Sequence, residues 1–589
     1  RDLIVTGVQT CALPISVAVL LLFLVASSCA HQTPRYTPES VAPPASMDAA
    51  RTRLETAPTT KTTDAAPNPA PSAEPINITL AEAIQTALTR NRGLAAQAYS
   101  PEIARKAIDE ARATFDPALT AGLDYRNQST PGTVSSDATG FSTGTTSVGQ
   151  NGSTDTYTQV LTVFQTLLKE SQQIEQVLEQ GNSAVNHANT LTSDVKLSQP
   201  LPTGTQVYIS SGYGRSASSA LAGSEYSGDW SVGITQALLR GFGSDVNLVS
   251  LRTARNNAAI SDQALRDFTL QMVAQVETAY WDLALAQETL RIQQFALDLA
   301  QKQLDLNDAK IAVGALPKSA RFSAESEVAS KKAALVDAQA GLLTRSISLW
   351  QLLNPDKQTP ESLQFLPISL PEVGDPLPTP QECTALADLF RPDLAQARLD
   401  LANGELAVIQ TKNGLLPQLD AFASYGASSS GSTPGAWSSH LGDMTYDQFQ
   451  AGLSFTMTLG NRAEKARHQR ARLQKSQAEA VIRNLQQAIE AELRKAIVEV
   501  SREAEQVAAS GREVRTREEE LAVETEQFRL GRSTNLNVLQ VQQRLVQAKL
   551  QEAAARVGRL QSFTSLYQKE GTLLTRRGIV LDKDRELSS

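Results

Sequence analysis

Four short segments of the chain alternate between apolar and polar residues, which is the two-residue period of a β-strand. The clearest lies at 449–459, and similar segments occupy 119–125, 230–234 and 419–425. A half-buried strand of a soluble sandwich has this pattern. So does the wall of a membrane barrel, whose residues face lipid and lumen in turn. Periodicity alone leaves both alternatives open.

Two much longer stretches, residues 245–311 and 461–529, lack proline and consist largely of helix-forming and small residues. At about 1.5 Å per residue, each predicts a helix roughly 100 Å long. Each stretch ends near a glycine, Gly314 or Gly531. The chain then returns in a second helical pattern, over residues 318–353 and 534–570. We therefore expect two long antiparallel helical hairpins, whose Leu, Val, Ile and Ala spacing is typical of coiled coils.

The chain also repeats its own order of elements. Thr79 and Glu82 match Thr379 and Glu382, 300 positions later, and each pair predicts a capping box at a helix start. The offset falls to 219 at the second strand and to 217 at the glycine turns. Four matched elements in the same order indicate an internal duplication, in which the first repeat carries about 81 extra residues.

These extra residues form an enlarged loop in the first repeat, residues 129–227. The apolar spacing of its 160–178 section predicts an amphipathic helix. Two strand-like segments, 194–198 and 205–213, flank a turn at 201–204 and predict a β-hairpin. This hairpin either adds two strands to the sheet or projects as a surface decoration, and we favour the decoration.

The predicted domains follow the repeats and the composition around them. In chain order they are a translated sequencing adapter (1–15), a signal peptide (16–28), a disordered tether rich in Pro, Ala and Thr (29–75), the first repeat (76–354), a linker (355–378), the second repeat (379–574) and a C-terminal tail (575–589). The apolar run at 16–28 is short for a membrane span and typical of a signal peptide. Cys29 follows it in a sequence that resembles a bacterial lipobox, so we expect lipidation at Cys29, with an ordinary cleavage site nearby as the alternative.

Composition and charge narrow the function classes. The net charge is −8, and no basic stripe with interleaved aromatics indicates a nucleic-acid partner. The three cysteines and four histidines are scattered, so we expect neither a disulfide framework nor a metal site. The sequence has no Ser/His/Asp order, phosphate-binding loop or clustered acid pair. It predicts a protein that is not an enzyme, with no catalytic residues and no cofactor.

Several motifs in this order resemble the TolC-like outer-membrane efflux proteins over about residues 76–574. The motifs lie at 236–243, 279–283, 391–394 and 416–419, with hairpin turns at 312–314 and 529–534. The resemblance implies an α+β membrane protein of two internal repeats. Three copies would share a β-barrel, with about four strands per protomer, continuous with a long α-helical coiled-coil periplasmic tunnel.

The resemblance also implies a function and a set of partners. The chain would be the outer-membrane channel of a tripartite efflux or type I secretion system, and would conduct substrates passively from periplasm to exterior. Its partners would be two further copies, a periplasmic adaptor (membrane fusion) protein, an inner-membrane transporter and outer-membrane lipid. The alternative is a coiled-coil envelope scaffold that transports nothing.

Two groups of site residues follow from the resemblance. Adaptor docking is expected at the helical tips, formed by Val313, Gly314, Ala315, Leu530, Gly531 and Arg532. The periplasmic aperture is expected at Asn537 and Gln540, where the family commonly has Asp. Uncharged amides at these two places put a strong acidic ring in doubt.

Overall fold

The computed structural model describes residues 76–131, 185–218, 223–354, 365–367, 378–433 and 446–579. The expected adapter, signal peptide, lipidated Cys29, tether and amphipathic helix at 160–178 all lie outside these residues.

The chain divides into two units, and each takes segments from both repeats. A sheet unit comprises the described residues within Arg112–Leu248 and Asn413–Asn461, and a helical unit comprises those within Ala66–Ala111, Val249–Lys412 and Arg462–Ser589. The strands are β1 (Ile76–Ile78), β2 (Ala118–Pro131), β3 (Val185–Pro200), β4 (Thr205–Ser218), β5 (Gly223–Ala237), β6 (Phe365–Pro367), β7 (Gln418–Gly431) and β8 (Asp447–Thr456). The helices are α1 (Leu80–Arg90), α2 (Arg92–Gln97), α3 (Tyr99–Ala113), α4 (Ser244–Asn247), α5 (Val249–Ala312), α6 (Ser319–Leu353), α7 (Pro380–Phe390), α8 (Pro392–Gly414), α9 (Arg462–Arg529), α10 (Asn535–Glu570) and α11 (Leu573–Arg576).

The sheet unit contains one antiparallel sheet of six strands, in the order β2-β3-β4-β5-β7-β8. All four segments expected from alternation are strands of this sheet. The expectations of about four strands and of a decorating hairpin are wrong, because β3 and β4 lie in its middle. Each of them is hydrogen-bonded on both sides, β3 to β2 and β4, and β4 to β3 and β5. A hairpin paired along both edges satisfies its backbone donors and acceptors within the sheet.

The helical unit contains the two predicted hairpins. The outgoing helices α5 and α9 have 64 and 68 residues, and the returning helices α6 and α10 have 35 and 36. At about 1.5 Å per residue, the outgoing helices are about 96 and 102 Å long. Their bounds agree with the sequence prediction within a few residues, except that the short α4 precedes α5. No helix among the described residues is long and apolar enough to cross a membrane.

The capping boxes predicted at Thr79 and Thr379 are present, whereas the spacing of Asn461 and Glu464 predicts a third that does not form: Asn461 is left-handed, with φ of +43°, and its side chain donates to the Leu415 carbonyl at 3.2 Å. Thr79 Oγ1 accepts from the Glu82 amide at 3.2 Å, while the Glu82 carboxylate accepts from the Thr79 amide at 2.9 Å. Thr379 and Glu382 make the same pair of bonds at 3.4 and 3.1 Å. The bonds that each glutamate accepts from its threonine hold the pKa of Glu82 and of Glu382 below the usual range. The spacing of Thr and Glu three residues apart is therefore sufficient to predict where these two helices begin.

The duplication extends to the bonds that tie the ends of the returning helices. Asn91 Nδ2 donates to the carbonyl of Leu352 at 2.7 Å, and an Arg391 guanidinium nitrogen donates to the carbonyl of Lys569 at 3.1 Å. The two donors are 300 positions apart and the two acceptors 217, which are the offsets of the sequence repeat. The same helix junction is thus built twice with different side chains.

The main hydrophobic core of the helical unit combines helices of both repeats. Its fully buried leucines are Leu283, Leu349, Leu394, Leu493, Leu566 and Leu573. The core also encloses the Glu277 carboxylate, which accepts from the half-buried Arg577 guanidinium at 2.6 and 2.9 Å. Cys383 is buried beside Glu570, and burial together with that carboxylate raises the pKa of its thiol to about 12. Cys383 is therefore a protonated core residue at neutral pH.

Candidate functional site

The turns at the ends of α5 and α9 have the same backbone geometry. Gly314 donates to the Ile311 carbonyl at 3.0 Å and Ala315 to that of Lys310 at 2.8 Å. In the second repeat, Gly531 and Arg532 donate to the carbonyls of Phe528 and Gln527 at 3.1 and 2.8 Å. This pair of bonds is a Schellman motif, which needs a left-handed residue. Both glycines have φ of +75°, so each turn needs a residue that tolerates left-handed geometry whether or not a partner binds.

The predicted docking residues lie on the surface of the described chain. Val313 is 79% exposed and Leu530 is 57% exposed. A Cβ added at Gly314 or Gly531 would meet nothing within 4 Å. The open space beside each glycine leaves room for close approach by another molecule, and the exposed valine and leucine add apolar surface there.

The two hairpins are joined just before these turns. Lys310 Nζ donates to the carbonyl of Phe528 and lies 3.8 Å from the centroid of its ring. Phe528 is buried, with an exposed fraction of 1%. The structure therefore brings the two predicted docking turns together at one end of the helical unit, and Lys310 is a tip residue that the sequence prediction missed.

A buried cluster of amides lies one helical turn further back. Asn535 Oδ1 accepts from Gln303 at 2.9 Å and from Asn307 at 3.0 Å. Asn535 Nδ2 donates to Ser323 Oγ at 3.3 Å. These bonds connect α5, α6 and α10. The sequence carried a signal for them, because Gln303 and Asn307 continue the buried α5 stripe of Ile292, Ala296 and Ala300. Polar residues at such positions are expected to pair with each other.

The predicted aperture residues follow in the first turns of α10. The Asn537 amide donates to Thr534 Oγ1 at 3.3 Å, which caps this helix. The side chains of Asn537 and Gln540 are exposed, while Val538 and Leu539 between them are buried. Both amides thus lie on the exposed face of α10, away from the helices against which Val538 and Leu539 pack.

The sheet has one apolar face and one polar face across its whole width. In an antiparallel sheet, directly opposed residues project to the same side. Successive strand pairs place one apolar row across all six strands: Leu119, Leu197, Ile209, Val232, Tyr425 and Phe449. The adjacent row, on the opposite face, is polar or glycine: Thr120, Lys196, Ser210, Ser231, Gly426 and Gln448.

Much of the apolar face is exposed within the described chain. Ile209 is 51% exposed and Phe449 is 71% exposed. A continuous exposed apolar surface of this kind needs an apolar environment. The polar face bears charged side chains, among them Asp194 and Asp229 in one row with Gly122, Gly212 and Ser428. The two faces of the sheet therefore differ clearly in polarity.

Comparison with known proteins gives one family. The model of the family described as outer membrane efflux protein matches residues 198–355 and 385–572. Among curated proteins, the chain is similar to the pyoverdine export outer membrane protein OpmQ of Pseudomonas putida. The two are 26% identical over 334 residues, which cover 54% of this chain and 67% of OpmQ.

Solved structures share the fold at low sequence identity. The outer-membrane channel OprN matches with a TM-score of 0.57 and 16% identity, over 84% of this chain and 89% of its own. The Campylobacter jejuni outer membrane channel CmeC matches with a TM-score of 0.56 and 14% identity, over 86% and 88%. The open state of the Neisseria gonorrhoeae channel MtrE matches with a TM-score of 0.56 and 18% identity, over 84% and 89%.

Proposed function

The chain belongs to the outer membrane efflux protein family, and from this premise we propose that three copies form a channel that conducts solutes passively from the periplasm to the exterior. Its location in the outer membrane and its part in efflux are those of the family. The trimer, the passive mechanism and the partners are the proposal.

The observation that carries the proposal is the two-faced sheet. Its apolar face is suited to lipid and its polar face to a water-filled lumen. Strands β2 and β8 are its two edges among the described residues. An open edge in hydrocarbon leaves backbone donors and acceptors without partners, at a cost of several kcal/mol for each group. Pairing of β2 in one copy with β8 in the next removes both edges and closes a ring.

The helical unit provides the proposed periplasmic tunnel. Its joined turns carry Val313 and Leu530 on the surface, and we assign to them the docking of a periplasmic adaptor protein. The sequence has no phosphate-binding loop, so we assign the energy input to an inner-membrane transporter. The complete assembly would be a tripartite efflux or type I secretion system.

Single-channel recording tests this function. Purified full-length protein added to a planar lipid bilayer should give discrete conductance steps. A scaffold that transports nothing gives no conductance steps, and that result would contradict the proposal. Val232→Arg places a charge on the apolar face and should reduce insertion, because arginine facing lipid costs about 2–4 kcal/mol near the midplane. Ser231→Arg, on the polar face, is the matched control and should still insert.

A further inference from the structure

The hairpin formed by β3 and β4 belongs to the first repeat and has no counterpart among the described strands of the second repeat. Among the described residues, the second repeat contributes two strands to this sheet, β7 and β8, whereas the first contributes four. The β2–β3 pairing runs from Ala118 opposite Ser198 to Pro131 opposite Val185. The β4–β5 pairing runs from Thr205 opposite Gln236 to Ser218 opposite Gly223. The hairpin is therefore bonded along its full length, between the two strands that match β7 and β8.

The hairpin also has the same two faces as the sheet around it. Leu197 and Ile209 continue the apolar row between Leu119 and Val232. Lys196 and Ser210 continue the polar row, and Ser210 Oγ lies 2.8 Å from Ser231 Oγ across the strand pair. A decoration outside the membrane would need neither match. Both are required if β3 and β4 cross the membrane with the other four strands.

We propose that β3 and β4 widen the membrane barrel, so that three copies form an eighteen-stranded barrel instead of the twelve-stranded barrel that four strands per copy would give. This rests on the proposed trimeric channel. Barrel diameter grows roughly in proportion to strand number, so the outer end is about 1.5 times as wide. The wall of its lumen is polar and the lumen is wider, so it admits hydrophilic solutes that are too bulky for the narrower ring.

The polar face of the hairpin region keeps the lumen open. Asp194 on β3 is opposite Gly122 and Gly212, and Asp229 on β5 is opposite Gly212. A Cβ at Gly122 would collide with the Asp194 carboxylate, and one at Gly212 with that of Asp229. Glycines beside these acids leave the carboxylates room to lie along the wall, where they remain hydrated. A lumen lined in this way is suited to polar cargo and water.

Counting strands in the trimer tests the proposal directly. Cryo-electron microscopy of the unmodified protein in lipid nanodiscs should resolve eighteen strands. Twelve strands, with β3 and β4 outside the ring, would overturn the widening and leave the proposed channel intact. Absence of a trimeric ring would contradict the proposed function itself, so the two failures are distinguishable.

A shortened variant supplies the functional comparison. Residues 132–227 are replaced by the second repeat's own connection, residues 432–446. In the second repeat Tyr425 is opposite Phe449, and the repeat offsets carry this pair onto Tyr125 and Trp230. Apolar faces therefore stay aligned. The unmodified channel should admit larger poly(ethylene glycol) from its outer side than the variant does. Equal size limits in two folded trimers would overturn the proposal.

Two substitutions decide the point if the shortened chain fails to fold. Ile209→Arg should reduce heat-stable trimer on the order of tenfold or more, as Val232→Arg does, because both would face lipid. Ser210→Arg should leave the trimer yield unchanged. If Ile209→Arg were as well tolerated as Ser210→Arg, the hairpin would lie outside the membrane.

Discussion

Two left-handed residues end the returning helices at equivalent positions, and they differ in how much room surrounds them. Asn354 and Gly571 have φ of +41° and +75° and lie 217 positions apart. A Cβ at Gly571 would lie 2.6 Å from the carbonyl oxygen of Phe390. Gly571→Ala should destabilise the protein by about 2 kcal/mol or more, since strain and collision add. Asn354→Gly is the control, and should change stability by less than about 0.5 kcal/mol. Thermal unfolding in detergent measures both, and equal effects would contradict the argument.

The buried Glu277 carboxylate depends on the Arg577 guanidinium near the end of the described chain. Thr564 Oγ1 is its further partner, donating at 2.8 Å. Arg577→Met should cost about 3–5 kcal/mol, because it leaves a buried charge without its cation. Glu277→Leu combined with Arg577→Met should recover most of that loss. A double variant no more stable than the single one would show that the arginine acts through packing. Thermal unfolding of the three proteins makes the comparison.

At this scale, sequence predicted what is local and missed what is distant. The capping boxes need residues three positions apart, and both were predicted. The Lys310–Phe528 contact and the Asn535 amide cluster join residues more than 200 positions apart. The apolar stripe of α5 indicates that Gln303 and Asn307 are buried, but their partner Asn535 could be identified only after the helices were placed side by side.

Among the elements, the two glycine turns combine a structural role with the proposed docking role, and these can be separated. Asparagine tolerates left-handed geometry, so Gly531→Asn should keep the turn. It adds a side chain where the described chain has open space, and should weaken adaptor binding at least about tenfold if the adaptor approaches closely. Gly578→Asn is the control, since Gly578 has φ of +69° and nothing near its Cβ. Surface-plasmon measurement with purified adaptor decides. Unchanged binding would leave the turns as helix reversals only.

The start of α10 gives a prediction about ion selectivity. If Asn537 and Gln540 line the aperture, their amides cannot concentrate cations as carboxylates do. Asn537→Asp with Gln540→Asp should therefore shift the reversal potential across a salt gradient toward the cation limit. If the unmodified channel is already strongly cation-selective and the double change has no effect, these residues do not line the constriction.

The inserted hairpin shows the limit of pattern reading for elements. Its two strands and its turn at 201–204 were predicted, because alternation and turn residues are local signals. Its place in the sheet was not, since a decorating hairpin alternates in the same way. Only pairing with β2 and β5 distinguishes them, and that pairing depends on backbone hydrogen bonds to strands outside the hairpin.

For the whole molecule, the duplication explains why each of the two units contains segments of both repeats. Each repeat supplies strands to one sheet and a long hairpin to one helical unit. The order of elements and the helix lengths could be read from the sequence because the repeat offsets and proline-free stretches are long-range but regular. The strand number could not, because the enlarged loop breaks that regularity in the first repeat only.

We infer above all that β2 of one copy pairs with β8 of the next, so that the sheets of the copies close into one ring. In the part of the chain that the structure describes, the sheet has two edges, at β2 and β8, and an exposed apolar surface. Native mass spectrometry of protein extracted in mild detergent tests this most directly. We expect three chains per particle, with no folded monomer on dilution. A stable folded monomer that keeps its β-sheet signal in detergent would contradict it.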